Sequence, residues 1–136
     1  MKDLKLQAIA EKSLKEVKYH LKWSSEWMIR LGDGTQESHD KIQEAVNTIL
    51  PYVKEAFILS DYQKVLIEEG LISNPEDFKA AWLTKVNEIL TEATIIADVE
   101  NAFAQKGGKD GIHTEHLGFI LTDLQYLQRT YPNSQW

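Results

Sequence analysis

The sequence predicts an all-helical protein. Apolar residues recur every three or four positions through four segments, and residues that favour helix starts precede several of them. No stretch alternates apolar and polar residues as a half-buried strand would. With 136 residues, 43% of them hydrophobic and 26% charged, the chain suits a single folded domain.

The first helix is expected from about Asp3 to Leu31. Leu6, Ala10, Val17, Ser24 and Leu31 recur in steps of four and three or their sum, with Leu14, Leu21 and Met28 beside them. At 100° per residue, these residues with Ile9, Ser13, His20 and Trp27 span an apolar arc of roughly 140°. Trp23 and Ile29 fall outside it. So broad an arc calls for cover on more than one side. Gly32-Asp33-Gly34 ends the helix.

Thr35 is placed to cap the second helix, with Glu37 in its first turn. His39, Ile42, Val46, Ile49 and Val53 continue in heptad register until Pro51, which should kink or break the helix. Ser60 can cap a short third element ending at Gly70. Asn74-Pro75-Glu76-Asp77 then combines a cap, a first-turn proline and acidic residues at a helix start. That helix carries Phe78, Trp82, Val86 and Leu90 and fades near Thr94. Residues 94–110 read as irregular. A last helix is expected from about Ile112 to Arg129, burying Leu117, Ile120, Leu124 and Leu127, with Tyr131-Pro132 as its stop.

Composition narrows the function. A net charge of −6 argues against nucleic acid, which requires clustered basic surface. The chain has no cysteine, which removes disulfides and thiolate chemistry. The charged start Met1-Lys2-Asp3-Leu4-Lys5 is unlike a signal peptide, and no apolar run is long enough to span a bilayer. The expectation is a soluble, cytoplasmic protein that meets neither membrane nor nucleic acid.

His20 is the most suggestive single position. Helical metal sites use Glu-x-x-His on inward faces, but Val17 stands three residues before His20. An i,i+4 hydrogen bond with Glu16 is the simpler reading. In an antiparallel hairpin His39 would face the region of Met28, about 12 Å along the helix from His20. Metal ligands must approach to about 2 Å, so the two histidines cannot share an ion. His113-Thr114-Glu115-His116 lacks the zinc-protease spacing, and its histidines read as packing or partner contacts on an opening helical turn. Lys106-Gly107-Gly108-Lys109 lacks the phosphate-loop spacing and reads as a mobile loop, with a phosphate-bearing ligand as the alternative. Four tryptophans point to core and interface anchors.

Two blocks carry a family resemblance. They are Lys12-Ser-Leu-Lys-Glu-Val-Lys-Tyr-His20, continuing through Ser24-Ser-Glu-Trp27 and Arg30-Leu-Gly-Asp-Gly-Thr35, and Gly107-Gly-Lys-Asp-Gly-Ile-His-Thr-Glu-His-Leu-Gly118 with Leu124-Gln-Tyr-Leu-Gln-Arg129 and Tyr131-Pro132. The chain resembles the C-subunit family of bacterial phenylacetyl-CoA epoxidases over essentially its whole length. The resemblance implies a ferritin-like bundle in which residues 1–136 form one helical domain, the C-terminal half of a subunit. A long antiparallel helix hairpin and further helices would make up that half.

It also implies a non-catalytic structural subunit in phenylacetate catabolism. The di-iron centre belongs to the catalytic A subunit, a reductase supplies electrons from NADPH, and this chain carries no catalytic residue, cofactor or metal of its own. The residues expected at interfaces are His20, Trp23, Trp27, His113 and His116. Because the first helix has more apolar arc than the second can cover, the isolated chain is expected to form a homo-oligomer. Two other classes fit the residues less well: a ferritin-like metal protein using Glu16 and His20, and a helical dimerisation module with an unrelated binding role.

Overall fold

The computed structural model describes residues 3–135. Its helices are α1 (Leu4–Gly32), α2 (Gln36–Val53), α3 (Asp61–Glu68), α4 (Glu76–Glu92) and α5 (His116–Thr130). Tight 3-10 turns occupy Lys54–Phe57 and Gly108–Asp110. No strand occurs among the described residues. The chain forms two compact units, Met1–Gln105 and Lys106–Trp136.

In the first unit, local chemistry sets the ends of the helices. Asp3 caps α1 by accepting hydrogen bonds from the amides of Lys5 and Leu6 at 2.8 and 3.1 Å. Thr35 caps α2 as expected, accepting from the Ser38 amide at 3.2 Å. Gln63 accepts from both the amide and the hydroxyl of Ser60 at the head of α3. At the head of α4 the Asn74 side chain accepts from the Glu76 amide at 3.0 Å.

Pro51 behaves more mildly than expected. It lies within the last turn of α2, and the chain tightens into the 3-10 turn only from Lys54. The proline lacks the amide that would bond back to Asn47, so one rung is lost near a helix end, where rungs are running out anyway.

α1 and α2 form the expected antiparallel hairpin, with Met28 and Ile29 packed into the same apolar cluster as Ile42, Val46 and Leu50. α4 packs against the same end of α1. The buried centre of this cluster is Leu90, Ala93, Ile95 and Val99. Ile29, outside the arc drawn from sequence, is half-buried there, because two neighbours cover this end of α1. Gly32 makes the approach possible. A Cβ at that position would stand 2.0 Å from the Ala93 carbonyl oxygen. Thr94 then ends α4 with a positive φ of 59°, held by its hydroxyl donating to the Gly32 carbonyl at 3.2 Å.

Cover stops abruptly toward the N-terminus. Every residue from Leu4 to Ser24 is exposed, including Val17 and Leu21 in the middle of the predicted arc.

In the second unit α5 begins at His116. That is four residues later than the pattern suggested, so His113 precedes the helix instead of opening it. Of the residues expected to be buried, Leu117 is half-buried, whereas Ile120, Leu124 and Leu127 are exposed.

Candidate interaction surface

Three of the five expected contact residues lie on α1. Trp23 and Trp27, one turn apart, meet edge to face with ring centroids 6.3 Å apart. The Arg30 guanidinium lies 5.7 Å from the Trp27 ring centre, a cation–π distance. Trp23 is 55% exposed and Trp27 43%, so two large rings remain half in solvent after satisfying each other. His20 is exposed and meets the Tyr19 ring edge-on at 6.3 Å. Among the described residues no hydrogen bond joins it to Glu16; Ser24 and Ser25 instead bond back to the Leu21 carbonyl. This correction has a simple cause. On an exposed helix face both side chains keep water as a partner, and ordering them gains little.

His113 and His116 lie in the second unit, both exposed. The loop before them closes on itself. The Gly107 carbonyl accepts from the amides of Asp110 and Ile112 at 3.0 and 2.8 Å, and the Gly111 amide donates to Gly108 at 3.3 Å. Gly107 and Gly111 take positive φ values of 109° and 82°, which favour glycine. The amides of Asp110, Gly111 and Ile112, which follow the Lys106-Gly107-Gly108-Lys109 segment, are thus engaged within the turn.

His39 is held within the first unit. Its Nε2 donates to the Thr94 carbonyl at 3.1 Å, while Nδ1 is buried without a hydrogen-bond partner and the Asp40 carboxylate stands 3.6 Å away. His39 belongs to a fastening that the sequence reading missed. The Gln43 side chain accepts from the Ile96 amide at 2.9 Å and donates to the Ile96 carbonyl at 2.8 Å. Lys54 donates to the carbonyls of Glu100 and Ala102, and the Gln105 amide donates to that of Pro51. His39, Gln43, Leu50 and Lys54 recur at helical spacing, which was the available signal. Residues 94–105 are irregular in backbone but strapped along α2. Within the strap, hydrogen bonds from the backbone and side chain of Asn101 hold the Asp98 carboxyl below the usual carboxylate range.

Between α2 and α4 lies an open apolar cleft of about 350 Å³, lined by Met28, Ile42, Val46, Leu50, Trp82 and Val86 among others. None of the residues lining it is charged. Its walls offer apolar packing and nothing with which to polarise or protonate a substrate. Among the described residues no group of three His, Asp or Glu side chains is placed to hold a metal ion. Among the described residues no helix is long and apolar enough to cross a membrane.

The class these features define is an all-helical protein whose α1 keeps an exposed apolar face from Leu4 to Ser24. Residues 1–136 match the family described as phenylacetic acid catabolic protein, and the chain belongs to that family, whose fold is ferritin-like and helical. It is 42% identical over 135 residues to the C subunit of the 1,2-phenylacetyl-CoA epoxidase of Escherichia coli (strain K12). The match covers 99% of this chain and 54% of that relative, so the chain spans about half the relative's length.

Proposed function

We propose that this chain is a non-catalytic structural part of a phenylacetyl-CoA epoxidase, acting in the cytoplasm in phenylacetate catabolism. Its work is to support and position the catalytic di-iron A subunit through packing. The observation that carries this reading is the 42% identity, over nearly the whole chain, to a protein named as the C subunit of that enzyme.

The donor set supports a role without a metal centre of its own. Ferritin-like di-iron sites take a carboxylate from each of two helices and a Glu-x-x-His pair from each of two others. Here Val17 occupies the carboxylate position before His20, and Gln36 stands three residues before His39. These residues do not fit a di-iron centre, and no step of oxygen chemistry is assigned to them. In this reading Trp23 and Trp27 are anchors for a partner, with His20, His113 and His116 as polar contacts.

The test is assembly. Mixed with the family's A subunit at low micromolar concentration, the chain should co-elute with it in fixed stoichiometry. Trp27→Ala should weaken that complex. Separate elution at all mixing ratios would refute the reading.

A further inference from the structure

We infer that residues 94–105 are fastened in two pieces that open separately, and that Lys54 is the latch of the rear piece, residues 98–105. The rear piece opens while the front piece and the helices stay folded. The latch lies wholly within the first unit and does not depend on the epoxidase reading.

The front piece, residues 94–97, continues the end of α4. The Ile95 amide donates to the Leu90 carbonyl at 2.9 Å, and the Thr94 hydroxyl donates to Gly32. His39 and Gln43 then clasp it from α2, the first through the Thr94 carbonyl and the second through both backbone groups of Ile96. Ile95, 6% exposed, anchors it in the core.

The rear piece is built around one ammonium group. The Asp98 carboxylate accepts from the amide and the side chain of Asn101, and the Asp98 carbonyl accepts from the Ala102 amide at 3.0 Å, which closes a turn. That turn brings the carbonyls of Glu100 and Ala102 to a single point. Lys54 Nζ occupies it, 2.7 Å from the Ala102 oxygen. Beyond the turn the Gln105 amide donates to the Pro51 carbonyl at 2.8 Å. Val99, 3% exposed, anchors this piece in the core. A charged donor makes stronger hydrogen bonds than a neutral one, so Lys54 is the main polar hold here.

Gln43 and Lys54 lie about 16 Å apart along α2 and its closing turn, at 1.5 Å per residue. Holds at such a distance, on different strap residues, fail independently. The two pieces also differ in what adjoins them. The front piece continues a helix packed against α1, whereas the rear piece leads into Lys106, where the second unit begins. Release of the rear piece therefore lengthens the tether to that unit. It also withdraws Val99 from the wall of the apolar cleft, and neither change unwinds a helix.

Native-state hydrogen exchange of the full chain, followed by NMR, tests the latch. The amides of Ile95 and Ile96 report on the front piece and those of Ala102 and Gln105 on the rear. In the unaltered chain Ala102 and Gln105 should exchange through an opening that depends less on added urea than exchange in α2 and α4 does. Lys54→Met, which keeps an unbranched stem and removes the charge, should speed Ala102 and Gln105 about tenfold. Ile95 and Ile96 should stay within about twofold of their original rates. Gln43→Ala should do the reverse, speeding Ile96 and leaving Gln105 unchanged. If Lys54→Met fails to fold, the urea dependence of the unaltered chain decides alone. Rear amides that follow the helices in urea, or a Lys54→Met variant that speeds both pairs equally or neither, would overturn the latch.

Discussion

The two halves of α1 share one apolar rhythm and meet different fates. From Met28 to Gly32 the helix is gripped by α2 and α4, so closely that Gly32 leaves no room for a methyl group above Ala93. From Leu4 to Ser24 the same rhythm continues with nothing over it among the described residues. Periodicity therefore reports that a face is apolar and is silent on what covers it. The covered end belongs to the core of the first unit, and the bare end keeps its apolar stripe exposed among the described residues.

Substitutions at glycine should separate two environments most sharply. Gly32→Ala should destabilise the first unit by about 3 kcal/mol, because its Cβ meets backbone that cannot swing aside. Gly118→Ala in α5 has nothing within 4 Å of the added Cβ and should stabilise its helix by about 0.5–1 kcal/mol. Urea denaturation of both variants checks the pair.

Leucine truncation extends the comparison to one covered and one bare position. Leu90, only 7% exposed, should cost about 2–4 kcal/mol on replacement by alanine. Leu14→Ala should change the stability of the monomer by no more than about 0.5 kcal/mol. A large Leu14 effect at low protein concentration would mean that the N-terminal part of α1 is covered within one chain.

The strap along α2 is the next smaller effect. Gln43→Ala removes two hydrogen bonds to Ile96, a residue 85% exposed, so water can replace them. The expected loss is about 1 kcal/mol, with faster hydrogen exchange confined to residues near 94–100.

The smallest effect is electrostatic. The Asp98 carboxyl is held below its ordinary value chiefly by the Asn101 backbone hydrogen bond and then by the Asn101 side chain. A folded-state pKa below the unfolded value gives stability that is present above about pH 4 and lost as pH falls through the lower, folded value. Asp98→Ala should flatten that part of the acid-denaturation curve slightly, since the carboxylate is fully solvated.

Much of the fold could be read from residues whose partners are their own neighbours. Thr35, Ser60 and the Asn74-Pro75 start act within one helical turn, and each stands where sequence reasoning placed it. The start of α5 was set too early because Ile112 extends an apolar pattern, whereas the chain turns until Glu115 before the helix closes. The Gln43 clasp was hidden because its partner is the backbone of Ile96, and a peptide group leaves no mark in sequence. On the candidate surface, the spacing of four between Trp23 and Trp27 is one that brings two side chains together on a helix, and their rings do meet edge to face. The Glu16–His20 contact failed because spacing permits an exposed hydrogen bond without making it favourable.

The claim that this chain supports catalysis without performing it is tested most directly by turnover. Purified chain is supplied with phenylacetyl-CoA, dioxygen, NADPH and the reductase, with and without the A subunit, and epoxide product is measured. The account predicts product only when the A subunit is present. Product formed in its absence would contradict it.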